Sequence, residues 1–561
     1  DISAVSVDLK ALTGSVGTSG KRFDIDSSRN GGVGLVTVSA ATDVYMQETS
    51  GNISVASIVA STGTVQLVSH GGILDGAKTV FTKISGNGIS LVASAGAIGE
   101  TSNDLEIDLQ GTSRLTATAS TNVFVTEKLG ALRITNVTGT TGAVRLTVAE
   151  ASGSGDDLTL ESGNSIVAGT TAAIMAGDDI NLMSGSTITA GSGSVTLTGD
   201  KPSLDAAGTT ITINGTITAA TTVAIVGNSQ GATLVSAMDA SYVLTTKQLV
   251  RTPVGSAAQT FSLTGFMSAS LTGGAGDNNF NIGGWTGTTL TAAIDGGAGT
   301  DTVEATTDTD FTAANALLKR VGSGDATLLN IENGVFRGGA KANKFNMSGW
   351  TLSGTVDGAG TSAKIIDTII SNVAGSTTLV NNLLSRAGVS DLALAGFETA
   401  ELTGSSGDDV FNVSGWSGTG KLLGGLGTDK IVANTDVADM LLTDVLLTRT
   451  GRGSLTLSGF EDAVLTGGAA ANKFTVKGFQ GTVKLDGGEG SDTYQVNLPA
   501  TGTVAVNVED TGTTGTDVLR TAAVAVAPTR DAANRRVSYL AASVIYTSAI
   551  ETEILPIKGT L

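Results

Sequence analysis

The sequence predicts an all-β fold in which short strands stack into a β-solenoid with coils of about 21 residues. Three observations favour this fold. The 561 residues include 77 glycines but only 4% aromatic and 15% charged residues, which suits thin stacked strands with glycine corners better than a large globular core. Apolar and polar residues alternate at period two over long stretches. The chain also repeats itself in each of its halves.

The N-terminal region, residues 1–250, contains a repeat of short strands. The segment VYMQETSGNISVASIVASTGTVQLVS at Val44–Ser69 returns as VFVTEKLGALRITNVTGTTGAVRLTV at Val123–Val148, a shift of 79 residues. Both copies break at Gly, Asn or Ser pairs, which is typical of strands joined by tight turns. The pattern continues through Asp178–Gly199 and Thr209–Gly227. We therefore expect no helix in this region.

The second region, residues 251–510, repeats one segment four times. Each copy begins with a glycine turn and ends in an aromatic residue, from LTGGAGDNNFNIGGW in the first copy to LTGGAAANKFTVKGF in the last. The anchors Phe280, Phe345, Phe411 and Phe474 are 65, 66 and 63 residues apart. In the third and fourth copies a second glycine turn follows the first after 20 residues, Gly404 to Gly424 and Gly467 to Gly487, so three coils of about 21 residues would fit one repeat.

One short helix per repeat is expected in this region. The segments Phe311–Gly322, Thr378–Gly388 and Ala438–Gly451 space leucines by three and four and end in a basic residue and a glycine. An Arg and a Glu then lie twelve residues apart. The pairs are Arg320 and Glu332, Arg386 and Glu398, and Arg449 and Glu461. We expect each pair to fix its helix on the solenoid; a catalytic role is disfavoured, because an enzyme needs one site and not one per repeat.

The boundary between the two regions is expected near residues 240–255, although a single solenoid running through it fits equally well. Residues 511–561 read as a continuing β segment, with strands over most of Val537–Ile554. Because the chain starts at Asp1 without a signal peptide and shows no polar cap near residue 561, we expect it to be a piece of a longer protein.

The ordered repeats resemble those of known secreted proteins. In the first half, ISLVASAGAIGETSNDL at Ile89–Leu105, followed by the strands VFVTE and GALRI, is similar to repeats of filamentous-haemagglutinin-type exoproteins. In the second half, the GFE strand at Gly459–Glu461, which leads into an LTGG turn, resembles β-strand-repeat segments of giant bacterial surface proteins. The resemblance covers most of the chain. It implies a right-handed parallel β-helix exported to a Gram-negative cell surface.

The glycine turns suggest a metal site. The pattern G-G-x-G-x-D stands at Gly296–Asp301, Gly424–Asp429 and Gly487–Asp492, and in variant form at Gly273–Asn278 and Gly404–Asp409. It resembles the calcium-binding nonapeptide turns of RTX proteins, in which carbonyl and carboxylate oxygens surround the ion. Turns 20 residues apart would share one edge of adjacent coils. The candidate calcium ligands are Asp408, Asp409 and Asp429, then Asp277 and Asp301, and finally Asp492.

A structural interpretation of these turns competes with calcium. The companion turns GGAKAN at Gly338 and GGAAAN at Gly467 lack carboxylates and place Lys344 and Lys473 nearby. The nine-residue tandem spacing of calcium turns is also missing. Glycine that supplies a positive φ, together with an aspartate bonded to the backbone, explains the motif without metal. We favour this second interpretation.

The tryptophans Trp285, Trp350 and Trp416 recur at one position of the repeat, with Phe479 in the fourth copy. An aromatic row could stack on sugar rings. However, the copies would be three coils apart, roughly 14 Å at one strand spacing per coil. Packing in the core or at the corners is therefore favoured.

Composition excludes several functional classes. The formal charge is −19, and no segment gathers the Lys and Arg that a phosphate backbone needs, so nucleic acid is not an expected partner. No apolar run approaches the roughly 20 residues that span a bilayer. The chain has no cysteine, which excludes disulfides and thiolate metal sites.

The sequence thus predicts a structural or adhesive element and not an enzyme: a rigid segment of a giant secreted protein in an extracellular or cell-surface fibre. Its expected partners are other copies of itself, end to end or side by side, and polysaccharide of the cell surface or matrix. Two alternatives stay open. One is a calcium-dependent surface binding module, and the other is a carbohydrate-active enzyme on a β-helix scaffold.

Overall fold

The protein is an all-β solenoid in a computed structural model that describes residues 2–31, 33–150, 155–201, 208–227, 231–360, 365–523 and 528–558. The helical content of these residues is one 3-10 turn, Arg29–Gly31. Strands pair mostly in parallel with the strands one coil before and after them, and they build two sheets, here called sheet 1 and sheet 2. Within the described ranges, no helix is long and apolar enough to cross a membrane.

The chain divides into two compact units, Asp1–Asp301 and Thr302–Leu561. In the first unit the strands of sheet 1 are Ile2–Ser3, Phe23–Asp26, Val44–Glu48, Val65–Ser69, Ile89–Ala93, Leu115–Ala119, Leu132–Gly139, Leu158–Ala168, Ile180–Leu182, Thr187–Ala190, Thr210–Ile213, Thr216–Ala219, Ala232–Ala237, Phe266–Thr272 and Thr291–Asp295. Those of sheet 2 are Val7–Ala11, Leu35–Ala40, Ile53–Ala60, Ile73–Asp75, Ile84–Gly86, Leu105–Leu109, Val123–Glu127, Val144–Val148, Ala172–Met175, Val195–Thr198, Val223–Val226, Ala240–Thr245, Gln248–Pro253, Gln259–Thr264 and Asn279–Gly284.

The second unit is built in the same way. Its strands in sheet 1 are Phe311–Ala314, Leu317–Arg320, Ala326–Leu329, Lys344–Gly349, Thr368–Asn372, Thr399–Thr403, Thr419–Leu423, Asp439–Thr443, Leu446–Arg449, Leu455–Ser458, Lys473–Lys477, Thr493–Leu498, Val518–Ala523 and Thr552–Lys558. Its strands in sheet 2 are Thr302–Thr306, Asn333–Arg337, Ser353–Asp357, Ser376–Val380, Leu383–Arg386, Leu392–Ala395, Val410–Asn412, Lys430–Asn434, Asp462–Gly468, Gly481–Gly488, Val504–Val508, Thr529–Asp531, Arg536–Tyr539 and Ala542–Tyr546.

The core consists of ladders of like residues in successive coils. Val44 pairs with Val65, Val65 with Ile89, and Ile89 with Leu115, and all four are buried. Since paired strands lie about 4.8 Å apart, each inward-facing side chain contacts its counterparts directly above and below. The period-two alternation in the sequence is therefore the alternation between core and solvent.

The three predicted helices are wrong, because each segment forms the first two strands of an antiparallel meander. Phe311–Ala314 pairs with Leu317–Arg320, which pairs with Ala326–Leu329, and the segments near 378 and 438 repeat this arrangement. The strand that follows each two-residue hairpin turn begins with two consecutive leucines. Together with the apolar residues before the turn, this pair produces a spacing that also fits a helix. Only the second leucine of each doublet is fully buried, as Leu318, Leu384 and Leu447 show.

Within the second unit the meanders alternate between the sheets. Those at 311–329 and 439–458 lie in sheet 1, and those at 376–395 and 529–546 lie in sheet 2. From Lys344–Gly349 to Lys473–Lys477, sheet 1 advances by seven strand pairings. Sheet 2 advances by seven over the same stretch. Alternation therefore keeps the two sheets level.

Both sequence repeats change sheet from one copy to the next. Val44–Glu48 lies in sheet 1, whereas its counterpart Val123–Glu127 lies in sheet 2. In the second unit, the strands of Phe345 and Phe474 lie in sheet 1 and that of Phe411 in sheet 2. Each copy thus spans an odd number of half-coils. In the second region this replaces the three whole coils inferred from the repeat length, because each meander adds residues to only one sheet.

Candidate functional site

The polar chemistry of the molecule is concentrated at the corners of the coils, and the meanders bring arginines into them. Arg386 is 4% exposed and its guanidinium donates to the carbonyl oxygens of Met347 at 3.2 Å and Trp350 at 2.9 Å. It also donates to the Ser371 hydroxyl at 3.2 Å. The fork of five N–H groups suits several acceptors at once. Arg386 therefore ties its meander to a turn on an earlier strand.

The same position in other copies is filled in the same way. Arg449 donates to the carbonyl of Val413 at 2.7 Å, and Arg452 reaches that of Trp416 at 3.2 Å. In the first unit, Arg251 of the meander at 240–264 donates to the carbonyl of Gly215 at 2.8 Å and also to that of Ile213. Burial lowers the pKa of Arg449 to about 10. These arginines stabilise the corners of the coils by donating hydrogen bonds to backbone carbonyl groups.

The expected Arg–Glu pairs do not form at Arg386 and Arg449. Arg386 donates to backbone carbonyls, whereas Oε2 of Glu398 accepts the backbone N–H of Asp367 at 2.9 Å. Likewise, Oε2 of Glu461 accepts the N–H of Asp429 at 2.9 Å. The arginine and the glutamate are twelve residues apart in each copy, but the meander places their side chains at different corners of the solenoid.

The tryptophans pack in the core, as favoured from the sequence. Trp285, Trp350 and Trp416 are all 0% exposed. The indole N–H of Trp350 donates to the Ser353 carbonyl at 3.1 Å, and that of Trp416 to the Thr419 carbonyl at 3.0 Å. Phe479, in the fourth copy, is also 0% exposed. A ring buried in this way presents no face to a sugar.

The aspartates that end the glycine turns form ladders of backbone hydrogen bonds. Oδ1 of Asp429 accepts the N–H of Asp409 at 2.8 Å, and Oδ1 of Asp409 accepts the N–H of Gly375. In the first unit, Asp301 accepts the N–H of Asn278 at 2.7 Å. Each carboxylate thus bonds to the corresponding turn of a neighbouring coil, as the structural interpretation of the motif requires.

Asp408 and Asp277 lie one residue earlier in their turns. Oδ1 of Asp408 accepts the N–H of Thr428 at 2.7 Å, and Oδ1 of Asp277 accepts that of Thr300 at 2.8 Å. The turns at Gly404 and Gly424 therefore share one edge of adjacent coils. Asp429 itself is buried, and this burial raises the pKa of its carboxyl group. Calcium binding at these turns stays a prediction.

One group of acids differs from the ladders. Asp492, Asp510 and Asp517 are 1%, 4% and 3% exposed, and one carboxylate oxygen from each lies within 4.8 Å of the other two. Burial and the neighbouring carboxylates raise the pKa of Asp492 to about 6 and that of Asp517 to about 7. We call these three residues the aspartate cluster.

Sequence reasoning found only one member of the aspartate cluster. Asp492 ends the glycine turn Gly487–Asp492, whereas Asp510 and Asp517 lie in VEDTGTTGTD, which matches no turn pattern. A signal was present in the register: Thr493 pairs with Val518, so Asp492 and Asp517 precede paired strands. That register was not visible before the strands were placed.

No protein-family description matches the chain, and no curated protein sequence is significantly similar to it.

Proposed function

We propose that this chain is a structural or adhesive element of an extracellular or cell-surface fibre. The observation that carries the proposal is the recurrence of one corner design in copy after copy. A meander, a buried arginine and a buried tryptophan recur together, and their polar atoms bond to the protein's own backbone. Groups used in this way hold a scaffold together and are not presented to a substrate.

The solenoid suits a mechanical role. Successive coils are joined by continuous ladders, such as the five paired residues between Thr399–Thr403 and Thr419–Leu423. Neighbouring coils shield each hydrogen bond of the ladders. A unit therefore resists bending, and under force it unfolds by detachment of whole coils. The net charge of −19 favours solubility and lets cations bridge neighbouring molecules. Other copies of the chain and surface polysaccharide are the proposed partners.

Extracellular placement is part of the same proposal. The likeness to filamentous-haemagglutinin-type repeats supports it, and the lack of cysteine is compatible with export. A fibre element outside the cell would gain from a fold that needs no oxidative step.

The proposal is tested by pulling the purified chain between its ends in an atomic force microscope, with electron microscopy of the same sample. We expect stiff elongated particles that lengthen in steps of about one coil, roughly 20 to 35 residues. Compact globular particles, or release of the whole chain in a single low-force event, would contradict a structural role. Turnover of acidic polysaccharides by the chain would instead favour an enzyme.

A further inference from the structure

The aspartate cluster concentrates negative charge in a buried place. The charged groups that act most strongly on Asp492 are themselves acidic, namely Asp510, Asp436 and Asp486. Asp517 likewise lies in the field of Asp510 and Glu551. Buried carboxylates that repel one another need a proton or a cation between them.

Each member of the cluster holds one oxygen in place with a backbone bond. Oδ1 of Asp492 accepts the N–H of Asn472 at 2.6 Å, and Oδ1 of Asp517 accepts the N–H of Asp492 at 2.7 Å. Oδ1 of Asp510 accepts the N–H of Gly512 at 3.0 Å. These bonds fix the three side chains. The second oxygen of Asp492 has no hydrogen-bond partner, whereas Asp510 also bonds to the Tyr494 hydroxyl and to the side chain of Asp517.

The second oxygen of Asp492 is buried and has no hydrogen-bond partner. This oxygen and the Tyr494 hydroxyl lie on the same side of Gly487, since a β-carbon placed on Gly487 would collide with both of them. That hydroxyl donates to Oδ2 of Asp510 at 2.9 Å. The buried, unpartnered oxygen of Asp492 and Oδ2 of Asp510 therefore both lie near the hydroxyl of Tyr494.

We propose that Asp492, Asp510 and Asp517 bind a divalent cation, calcium in preference to magnesium. Carboxylate oxygens are hard ligands, and calcium takes them at about 2.3 to 2.6 Å, so two ligands on opposite sides of the ion are up to about 5 Å apart. The three oxygens lie within 4.8 Å of one another, which is within that span. Magnesium usually keeps several waters and binds only one or two carboxylates, so a buried group of three carboxylates suits calcium better. Asp510 and Asp517 both lie in the loop between Val504–Val508 and Val518–Ala523, and Asp492 precedes the paired strand one coil earlier. The glycine-turn ladders of the described residues have no counterpart of Asp510.

Terbium luminescence tests the site, because Tyr494 lies next to it and can transfer excitation to a bound Tb³⁺ ion. We expect the chelator-treated full chain to give tyrosine-sensitised emission that calcium displaces, and a melting temperature that rises by several degrees with millimolar calcium. The Tyr494→Phe variant should lose most of the emission but keep the rise in melting temperature. An absence of both signals in the unmodified chain would overturn the proposal.

Two variants separate this site from the glycine turns. Asp510→Asn with Asp517→Asn should raise the melting temperature without calcium, since the repulsion is relieved, and should abolish the calcium effect. Asp408→Asn, an exposed aspartate of a glycine turn, is the matched control and should keep the calcium effect. A calcium effect that survives the double substitution, or that disappears in Asp408→Asn alone, would place the ion elsewhere and overturn the site. The single Asp510→Asn variant serves the same purpose if the double variant does not fold.

Discussion

The solenoid before Ala240 and the part that follows it bury different kinds of side chain. The largest fully buried side chains of the described residues, among them Trp350, Arg449 and Phe311, all come from position 242 onward. Before Ala240 the core is made of aliphatic ladders such as Val123, Val144 and Ala172. The first antiparallel meander begins at Ala240. Large side chains therefore enter the core together with the meanders.

An inserted meander requires larger corner side chains that can donate hydrogen bonds. Plain parallel coils stack identical corners, so small apolar residues fill them. A meander adds two strands to one sheet only, and carbonyl groups of an earlier turn lie at its corner. The guanidinium of Arg386 and the indole of Trp350 fill that corner and supply donors, to the carbonyls of Trp350 and Ser353 respectively.

Truncation of a corner tryptophan should have the largest effect. Trp350→Ala should lower the free energy of unfolding by about 3 to 5 kcal/mol, because it leaves a large cavity and an unpaired carbonyl. Leu146→Ala, in the aliphatic core of the first unit, is the matched control and should cost about 2 to 4 kcal/mol. Calorimetry of the two variants checks the difference. Equal losses would mean that the meander corners depend no more on their large residues than the plain coils do.

Removal of a corner arginine should come next. Arg386→Met keeps the volume but removes the donors to Met347 and Trp350, so we expect a loss of about 2 to 4 kcal/mol. Arg449→Met should cost less, because two nitrogens of Arg449 lack a partner and it shares its corner with Arg452. Denaturant unfolding measures both. The exposed Arg337→Met is the control, and a loss at that position as large as at Arg386 would refute the corner role.

A glycine of the stacked turns should rank third. Gly425 has a φ of +115°, and a β-carbon there would collide with the carbonyl oxygen of Ser405 on the adjacent coil. Gly425→Ala should therefore cost about 2 to 3 kcal/mol. Gly451 also has a positive φ, +77°, but nothing lies within 4 Å of its β-carbon position, so Gly451→Ala should cost only about 1 kcal/mol. Thermal melting of the pair separates close coil stacking from backbone strain.

The last prediction concerns pH and the region before Ala240. Burial raises the pKa of Glu127 from 4.5 to about 8. The folded state therefore keeps a proton that the unfolded chain releases. The stabilisation that protonated Glu127 gives the folded state is complete below pH 4.5 and is lost as the pH rises through about 8.

The melting temperature should accordingly fall between pH 5 and pH 8, by the equivalent of roughly one proton taken up on folding. Glu127→Gln cannot titrate and should remove that part of the slope, even though its amide satisfies fewer of the backbone N–H groups. Calorimetry at several pH values measures the slope. An unchanged slope in the variant would mean that Glu127 titrates as an exposed acid does.

Strands and turns could be read from the sequence because their signals are local. Period-two alternation marked Val44–Glu48, and the strands expected near the end of the chain are present at Arg536–Tyr539 and Ala542–Tyr546. The meanders could not be read in this way. A doublet such as Leu383 and Leu384 fits a helix and a hairpin equally well, and tertiary pairing decides between them.

The candidate site shows the same limit. Asp429 was recognised from its glycine turn, and its hydrogen bond to Asp409 follows from the 20-residue spacing of the two turns. Asp510 and Asp517 come together with Asp492 only through the register of coils whose lengths differ. Local patterns predict single corners, whereas groups that cross coils depend on how many residues each loop holds.

The change of sheet between copies has a consequence for how partners could be held. In the second unit, two copies advance each sheet by seven strand pairings, which is an average rise of about 17 Å per copy. Successive copies place the same strand in opposite sheets. A partner that recognises the outer surface of one copy meets the next equivalent surface on the opposite side. For such a partner, the segment would offer binding positions on two faces and not in a single row.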